Sequence, residues 1–365
     1  YARYGQFWPA LLRHADVPFP KIIALGYMST EGIFSSTLGV SSTQVYIFLL
    51  FGQLLETLGG GEFFLNLANC AFGKLRGGPA KVAVFASALF GSISGSAVAN
   101  VAATGTITVP MMKKVGYTSR FSGAVVAVAA TGGLIMPPVM GAAAFVMAEF
   151  LGLTYLDIVK AAAIPGVMYY VALLFMVHLR ARKQNLKPMK EGFVSTRYLF
   201  QNSYLMIPLA ILIIILVMGY TAFKAVYLSL LSLLLIGIIT RRVNLKKLLE
   251  IFIDGAKSAV TIALACGVSG IIVGVLTTTG LGVTFTSIVL SLSKGILPLA
   301  LLMTAVACII LGMGVPTTAA YVIVSALCAP ILIKMGVMPI AAHMFVFYFA
   351  VISAITPPVA LAAYA

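Results

Sequence analysis

Acidic residues are scarce in this chain: nine Asp and Glu stand against 24 Lys and Arg among 365 residues. Charged side chains make up only 9% of it, about a third of the share usual in soluble domains. That shortage excludes an ordinary cytosolic protein. Cysteine is rare as well, with Cys70, Cys266, Cys308 and Cys328 at spacings that suit no metal site. The four thiols read as small packing residues in apolar surroundings. Histidine occurs three times, at the isolated positions His14, His178 and His343. With no intramembrane Asp pair, His cluster or Ser–His arrangement, a membrane-embedded enzyme is excluded. There is no Walker-type phosphate loop, so ATP does not power this chain directly. The one look-alike of a nucleophile elbow, Gly91–Gly95, carries Ile93 where the serine would stand. No signal peptide is visible, residue 1 is Tyr, and the sequence stops in an apolar stretch at Ala365. Both ends are therefore expected to be truncated.

Hydrophobic residues are what the chain has in plenty, at 61%. Apolar stretches of roughly 20 residues recur, as membrane-spanning helices require. The 34 glycines and 16 prolines lie largely inside these stretches, where broken or closely packed helices are expected. The net charge of +15 gathers at predicted helix ends. The main clusters are Arg180, Arg182, Lys183, Lys187 and Lys190, then Arg241, Arg242, Lys246 and Lys247. Cytoplasmic loops collect such residues, and this reading displaces nucleic-acid binding.

The pattern predicts apolar segments over 20–40 and 43–59, then an amphipathic piece over 62–73. A Gly/Ser/Thr-rich region follows over 79–112, and a span over 121–150 interrupted by Pro137-Pro138. Further spans are predicted over 163–180, 203–221, 225–240 and 255–278. Asp254 and Lys257 then fall at a helix start, where they suit capping. Glu31, Glu56, Glu149 and Asp157 fall near span ends and read as interfacial.

Residues 283–365 repeat an earlier pattern at one offset. Pro137-Pro138 and Pro357-Pro358 lie 220 residues apart, and so do Pro110 and Pro330, Lys114 and Lys334, and Gly116 and Gly336. The breaks correspond too: Gly91-Ser92-Ile93-Ser94-Gly95 falls on Leu311-Gly312-Met313-Gly314-Val315. Segments 79–112 and 299–332 are each long enough for two crossings, and each has a Gly-rich break in its first half. Each is read as a re-entrant hairpin. Five spans separate them, an odd number, so the second repeat is inverted. Charge agrees: Lys74, Arg76, Lys81, Lys113, Lys114 and Arg120 flank the first hairpin, and only Lys294, Lys334 and His343 flank the second. By the positive-inside rule, the first is rooted in the cytoplasm and the second outside.

The expected fold is thus an all-α polytopic membrane protein of two inverted repeats, each with a re-entrant hairpin and a broken transmembrane helix. The domains are 1–42, an N-terminal segment; 43–150, the first repeat; 151–254, scaffold spans with a basic loop; and 255–365, the second repeat. Inverted repeats with discontinuous helices mark secondary transporters. A helix that stops mid-membrane leaves N–H groups for an anion at its start and carbonyls for a cation at its end. The breaks offer Ser92, Ser94, Ser96, Asn100, Thr104 and Thr106, then Thr131, Gly132 and Gly133. In the second repeat they offer Gly312, Gly314, Pro316, Thr317 and Thr318, then Ser353 and Thr356. None is charged. A neutral oxygen cage suits a monovalent cation such as sodium better than calcium or zinc, and no group there titrates near neutrality to carry a proton. Close helix packing would also recruit Gly, Ser and Thr, but not twice at one repeat offset beside a Pro-Pro break. A channel could use the same helix breaks and stands as the alternative.

Three stretches carry a family resemblance: Gly91–Asn100 (GSISGSAVAN), Leu311–Tyr321 (LGMGVPTTAAY) and Ile355–Ala360 (ITPPVA). With them the chain resembles the large membrane subunit of the tripartite ATP-independent periplasmic, or TRAP, transporters. Thr30–Phe34 and Leu38–Ser41 look like its TAXI branch, whose permeases are often fused to the small membrane subunit. The resemblance implies an elevator mechanism in a prokaryotic inner membrane. It also implies an extracytoplasmic solute-binding protein, a small membrane subunit and a carboxylate substrate such as a dicarboxylate, 2-oxo acid or sialic acid. Sodium coupling is implied, with proton coupling as the other option in TAXI-like members. By position, one cation would lie at Ser92, Ser94, Gly133 and Pro137, and a second at Gly312, Gly314, Thr317 and Thr356. The anion would lie near Ser96, Asn100 and Thr318.

Overall fold

The computed structural model describes residues 2–8, 13–188 and 196–365; Lys190 of the first basic cluster lies outside them. Among the described residues there are helices and turns and no strand. α1 (Phe19–Tyr27) and α2 (Ser36–Val40) come first, and α2 runs through a π turn at Ser41–Val45 into α3 (Tyr46–Thr57). After α4 (Gly60–Phe72) come α5 (Gly78–Ser94) and α6 (Ala97–Val115), the two arms of the first hairpin. α7 (Ser119–Gly132) ends in a 3-10 turn, Gly133–Ile135, and α8 (Ala143–Leu151) follows the Pro-Pro corner. Next are α9 (Tyr155–Lys183), α10 (Thr196–Asn202), α11 (Ile207–Val217), α12 (Ala222–Ile239) and α13 (Leu245–Thr279). The second run holds α14 (Leu281–Ser293), α15 (Leu297–Gly312), α16 (Thr317–Lys334) and α17 (Pro339–Ile352). A 3-10 turn, Ser353–Ile355, and the short α18 (Leu361–Tyr364) complete it.

Six helical stretches among the described residues are long and apolar enough to cross a membrane: Ser36–Thr57, Tyr155–Lys183, Arg197–Val217, Ala222–Ile239, Leu245–Thr279 and Thr317–Lys334. The chain is an all-α polytopic membrane protein. Side-chain hydroxyls start several helices by accepting N–H groups that have no intrahelical partner. Thr118 accepts from Phe121, Thr221 accepts from Lys224, and Thr154 forms a reciprocal capping box with Asp157. The 220-residue offset recurs in the helix bounds. α7 with its terminal turn covers 119–135, and α17 with its turn covers 339–355. α6 starts at Ala97 and α16 at Thr317. Both Pro-Pro bonds are cis.

The chain divides into two compact units. One comprises Tyr46–Gly141, Thr154–Ser258 and Leu361–Ala365; the other comprises Tyr1–Val45, Ala142–Leu153 and Ala259–Ala360. Each broken helix therefore changes unit after its Pro-Pro corner: α8 groups with the second hairpin and α18 with the first. In the first unit α5, α6, α7 and α9 pack around Ala83, Val84, Met112, Val126, Ala129 and Val177. α9 also ties the end of α7 in place, because the Tyr169 and Tyr170 hydroxyls donate to the Val128 and Ala129 carbonyls, each at 2.8 Å. In the second unit α15, α16 and α17 pack together with α8, and the buried Tyr321 and Phe347 rings meet edge to face at 5.8 Å.

Several sequence expectations change. α13 begins at Leu245, ten residues before the predicted start, because the Asn244 side chain accepts the Lys247 N–H at 2.8 Å. Asp254 and Lys257 therefore lie inside the helix as an exposed pair 3.2 Å apart and cap nothing. Cys70 is exposed on α4, not packed; the other three thiols are buried. His178 and His343 are not isolated: His178 meets Lys81 at 3.0 Å and His343 meets the Tyr321 hydroxyl at 2.7 Å. Gly91–Ser94 are helical, so the first hairpin breaks only at Gly95-Ser96, at its middle.

Candidate functional site

In the first unit the break is built by close backbone approach. Gly91 of α5 and Gly133 after α7 face each other so tightly that a Cβ on Gly91 would stand 2.5 Å from the Gly133 Cα. No side chain fits between them. Gly95 turns the hairpin in the left-handed region at φ 62°, and a Cβ there would meet the Met140 carbonyl at 2.9 Å. Asn100 is fully buried beside the Gly91–Gly133 crossing. Its Nδ2 donates to the Ser87 carbonyl at 2.9 Å and the Ala130 carbonyl at 3.4 Å, so one amide ties α6 to α5 and α7. Its Oδ1 is buried without a hydrogen-bond partner.

The remaining predicted residues of this break gather around that crossing. Ser92 Oγ donates to the Leu89 carbonyl at 2.8 Å, while the Ser92 carbonyl accepts the Val139 N–H at 3.0 Å, two residues beyond Pro137. Ser94 Oγ accepts the Ser96 N–H at 3.5 Å, and Ser96 Oγ caps α6 by accepting the Ala99 N–H at 3.3 Å. Ser92 is thus bonded to the segment just after Pro137 and stands next to Gly91 of the Gly91–Gly133 crossing, while Ser94 ends α5. Ser96 and Asn100 sit on the α6 side of the break. Sequence reasoning missed Tyr155, whose hydroxyl braces the corner by donating to the Pro138 carbonyl at 3.0 Å and to the Val139 carbonyl.

The second unit repeats the plan with different side chains. A Cβ on Gly312 would stand 2.5 Å from Ser353 Oγ, so α15 closes on the end of α17 at Ser353. Gly314 turns at φ 79° against Val359. Thr356 Oγ1 donates to the Ile352 carbonyl at 3.0 Å, and the Thr356 carbonyl accepts the Ala360 N–H at 3.2 Å. Gly312, Gly314 and Thr356 are thereby drawn to one break, and Thr317 begins α16 directly after it. Thr318, grouped by sequence with Ser96 and Asn100, belongs to this other unit and is buried.

These arrangements have a definite electrostatic sense. At each break two helix C-termini converge: α5 with α7 in the first unit, α15 with α17 in the second. Helix C-termini carry unpaired carbonyls and partial negative charge. Ser92 and Thr356 donate their hydroxyl protons to helix carbonyls, which leaves each hydroxyl oxygen with acceptor lone pairs. One helix N-terminus also starts at each break, α6 at Ala97 and α16 at Thr317, and it offers N–H groups to an anion. Among the described residues no three His, Cys, Asp or Glu side chains cluster so as to hold a metal ion.

Comparison with known proteins identifies the family. The family model described as "Tripartite ATP-independent periplasmic transporter, DctM component" matches residues 8–365. The chain belongs to this family. It is a TRAP transporter large membrane subunit, a transporter permease of the inner membrane and not an enzyme. The C4-dicarboxylate TRAP transporter large permease protein DctM of Pseudomonas aeruginosa is 28% identical over 328 residues, covering 86% of this chain and 74% of that protein. The uncharacterized protein YgiK of Salmonella typhimurium is 27% identical, covering 88% and 74%. The isethionate TRAP transporter permease protein DctMQ of Oleidesulfovibrio alaskensis is also 27% identical, covering 86% of this chain and 49% of that longer protein.

Proposed function

We propose that this permease imports an organic anion, a small carboxylate, by symport with sodium. The observation that supports the reading is the repeated helix break, at which two helix C-termini converge and one helix N-terminus begins. Carboxylate cargo is drawn from the relatives described as C4-dicarboxylate and sialic acid permeases, while a third relative is described as an isethionate permease. One sodium ion is held at Ser92, Ser94, Gly133 and Pro137, and another at Gly312, Gly314, Thr317 and Thr356. Ser96 and Asn100 at the start of α6 and Thr318 at the start of α16 are each candidates for contact with the anion. A periplasmic solute-binding protein delivers the anion, and a small membrane subunit completes the transporter. Access alternates by an elevator movement, in which a transport domain made of both hairpins and both broken helices slides against the scaffold spans, and the charge asymmetry of the flanks favours repeats inserted in opposite senses.

Uptake into proteoliposomes tests this reading. Accumulation of a labelled dicarboxylate should need both the cognate binding protein and an inward sodium gradient. Uptake without the binding protein would remove the tripartite element, and uptake driven by a proton gradient alone would remove sodium. A steady current with no saturable exchange would point to a channel instead. Lys114 and Lys334 are both exposed and share one repeat position. Cysteines placed there should label from opposite faces of the membrane; labelling from one face would end the inverted assignment.

A further inference from the structure

A cationic cluster at the start of the first hairpin has no part in the proposed cation and anion sites. Lys81, in the first turn of α5, is only 7% exposed. A buried ammonium is costly unless an opposite charge accompanies it. Its Nζ instead meets Nδ1 of His178, a neutral-capable base on α9, at 3.0 Å. The groups that act electrostatically on His178 are all cations: Lys81, Arg182 and Arg76. Arg76 is held in place by its bonds to the Leu186 carbonyl and to Asn185 Oδ1, each at 3.1 Å. Arg180 leans over the Phe121 ring, and its Nε is buried without a hydrogen-bond partner. The one ion pair between described residues is Lys257–Asp254, on another helix. The cluster thus concentrates positive charge, and among the described residues no ion pair compensates it.

What lies below the cluster indicates the missing partner. His178 and Arg182 are one helical turn apart on α9, and the same stripe continues toward the helix start through Phe175, Val171, Met168 and Ile164. This spacing keeps all six on one face. The four apolar members are exposed, at 62%, 58%, 65% and 71%. From Ile164 to His178 the stripe is about 21 Å long, at the α-helical rise per residue. A membrane-spanning helix therefore presents an apolar strip on the scale of one acyl chain, topped by cations at its end. A soluble anion would use only the top of such a site.

We propose that Lys81, His178, Arg76 and Arg182 bind the phosphate headgroup of an anionic phospholipid whose acyl chain lies along the Ile164–Phe175 stripe. The lipid supplies the negative charge that Lys81 lacks and pins α5, the first hairpin arm, to α9. The location suits this role, since basic pockets between transmembrane helices recruit anionic headgroups.

The test uses the full chain purified in detergent, with native mass spectrometry to count retained lipid and thermal unfolding to report its effect. Phosphatidylglycerol should be retained in preference to phosphatidylcholine and should raise the unfolding midpoint. Arg182 is exposed, so Arg182→Gln leaves the packing intact. It should weaken phosphatidylglycerol retention by about fivefold, the effect of one cation facing an anionic headgroup. Lys81→Met should weaken it further, and if that variant does not fold, Arg182→Gln and Phe175→Ser carry the test. Phe175→Ser should reduce retention without altering the preference between the two lipids. Equal retention of both lipids by the wild type, or an unchanged preference in Arg182→Gln, would overturn the proposal. So would inorganic phosphate reproducing the stabilisation, because the acyl stripe would then have no role.

Discussion

The two hairpins follow one plan and close it with different chemistry. In the first, two glycines meet backbone to backbone and a buried amide joins three helices. In the second, Leu311 and Ser353 occupy the positions equivalent to Gly91 and Gly133, and Ala320 stands where Asn100 would be. There the close contact shifts by one residue, to Gly312 against Ser353, with Ala320 packed beside it. The first closure is backbone on backbone beside a buried amide; the second sets a glycine against a serine hydroxyl and an alanine methyl. The two repeats therefore share the path of the chain, the left-handed turn and the proline corner, and differ in the means of closure.

That asymmetry can be broken most severely at the glycine crossing. Gly133→Ala puts a methyl group about one bond length too close to the Gly91 backbone, where nothing flexible can move aside. A cost of about 3 kcal/mol or more is expected, seen as a large fall in unfolding midpoint and loss of uptake. Ser353→Ala, at the equivalent position, keeps the existing Cβ and should cost about 1 kcal/mol. Equal losses in the two variants would show that the closures are not distinct. The amide comes next. Asn100→Ala removes two donated hydrogen bonds and opens a small void, and should destabilise by about 2 kcal/mol. Ala320→Asn forces an amide into the packed second closure, at a cost of about 1–3 kcal/mol. A neutral Ala320→Asn would mean that the second closure has room for the first one's solution. The smallest effect is expected at the corner brace. Tyr155→Phe leaves the Pro138 and Val139 carbonyls without their phenol and should cost about 1 kcal/mol, measured by thermal unfolding in one detergent.

The helix breaks were legible because they rest on backbone needs that only certain residues meet. A left-handed turn asks for Gly95 or Gly314, and Pro137-Pro138 and Pro357-Pro358 end a helix whatever surrounds them. The family stretches lie on these same residues. What was not legible depends on packing between distant segments. Tyr155 braces the corner from the start of another helix, and nothing local in the sequence marks a phenol for that task. Tyr321 and His343, like Lys81 and His178, meet only because their helices pack side by side. The start of α13 was misread because Asp254 and Lys257 imitate a cap, whereas Asn244 supplies one ten residues earlier. The exchange of α8 and α18 between units was also hidden, since an apolar segment does not state which neighbour it will join.

The most direct measurement is the stoichiometry of sodium binding to the purified permease, with Ser92→Ala and Thr356→Ala compared separately. Each hydroxyl stands at a different helix break, so each variant should lose one ion and keep the other, and the double variant should bind none. An unchanged stoichiometry in both single variants would contradict the assignment of one cation to each break.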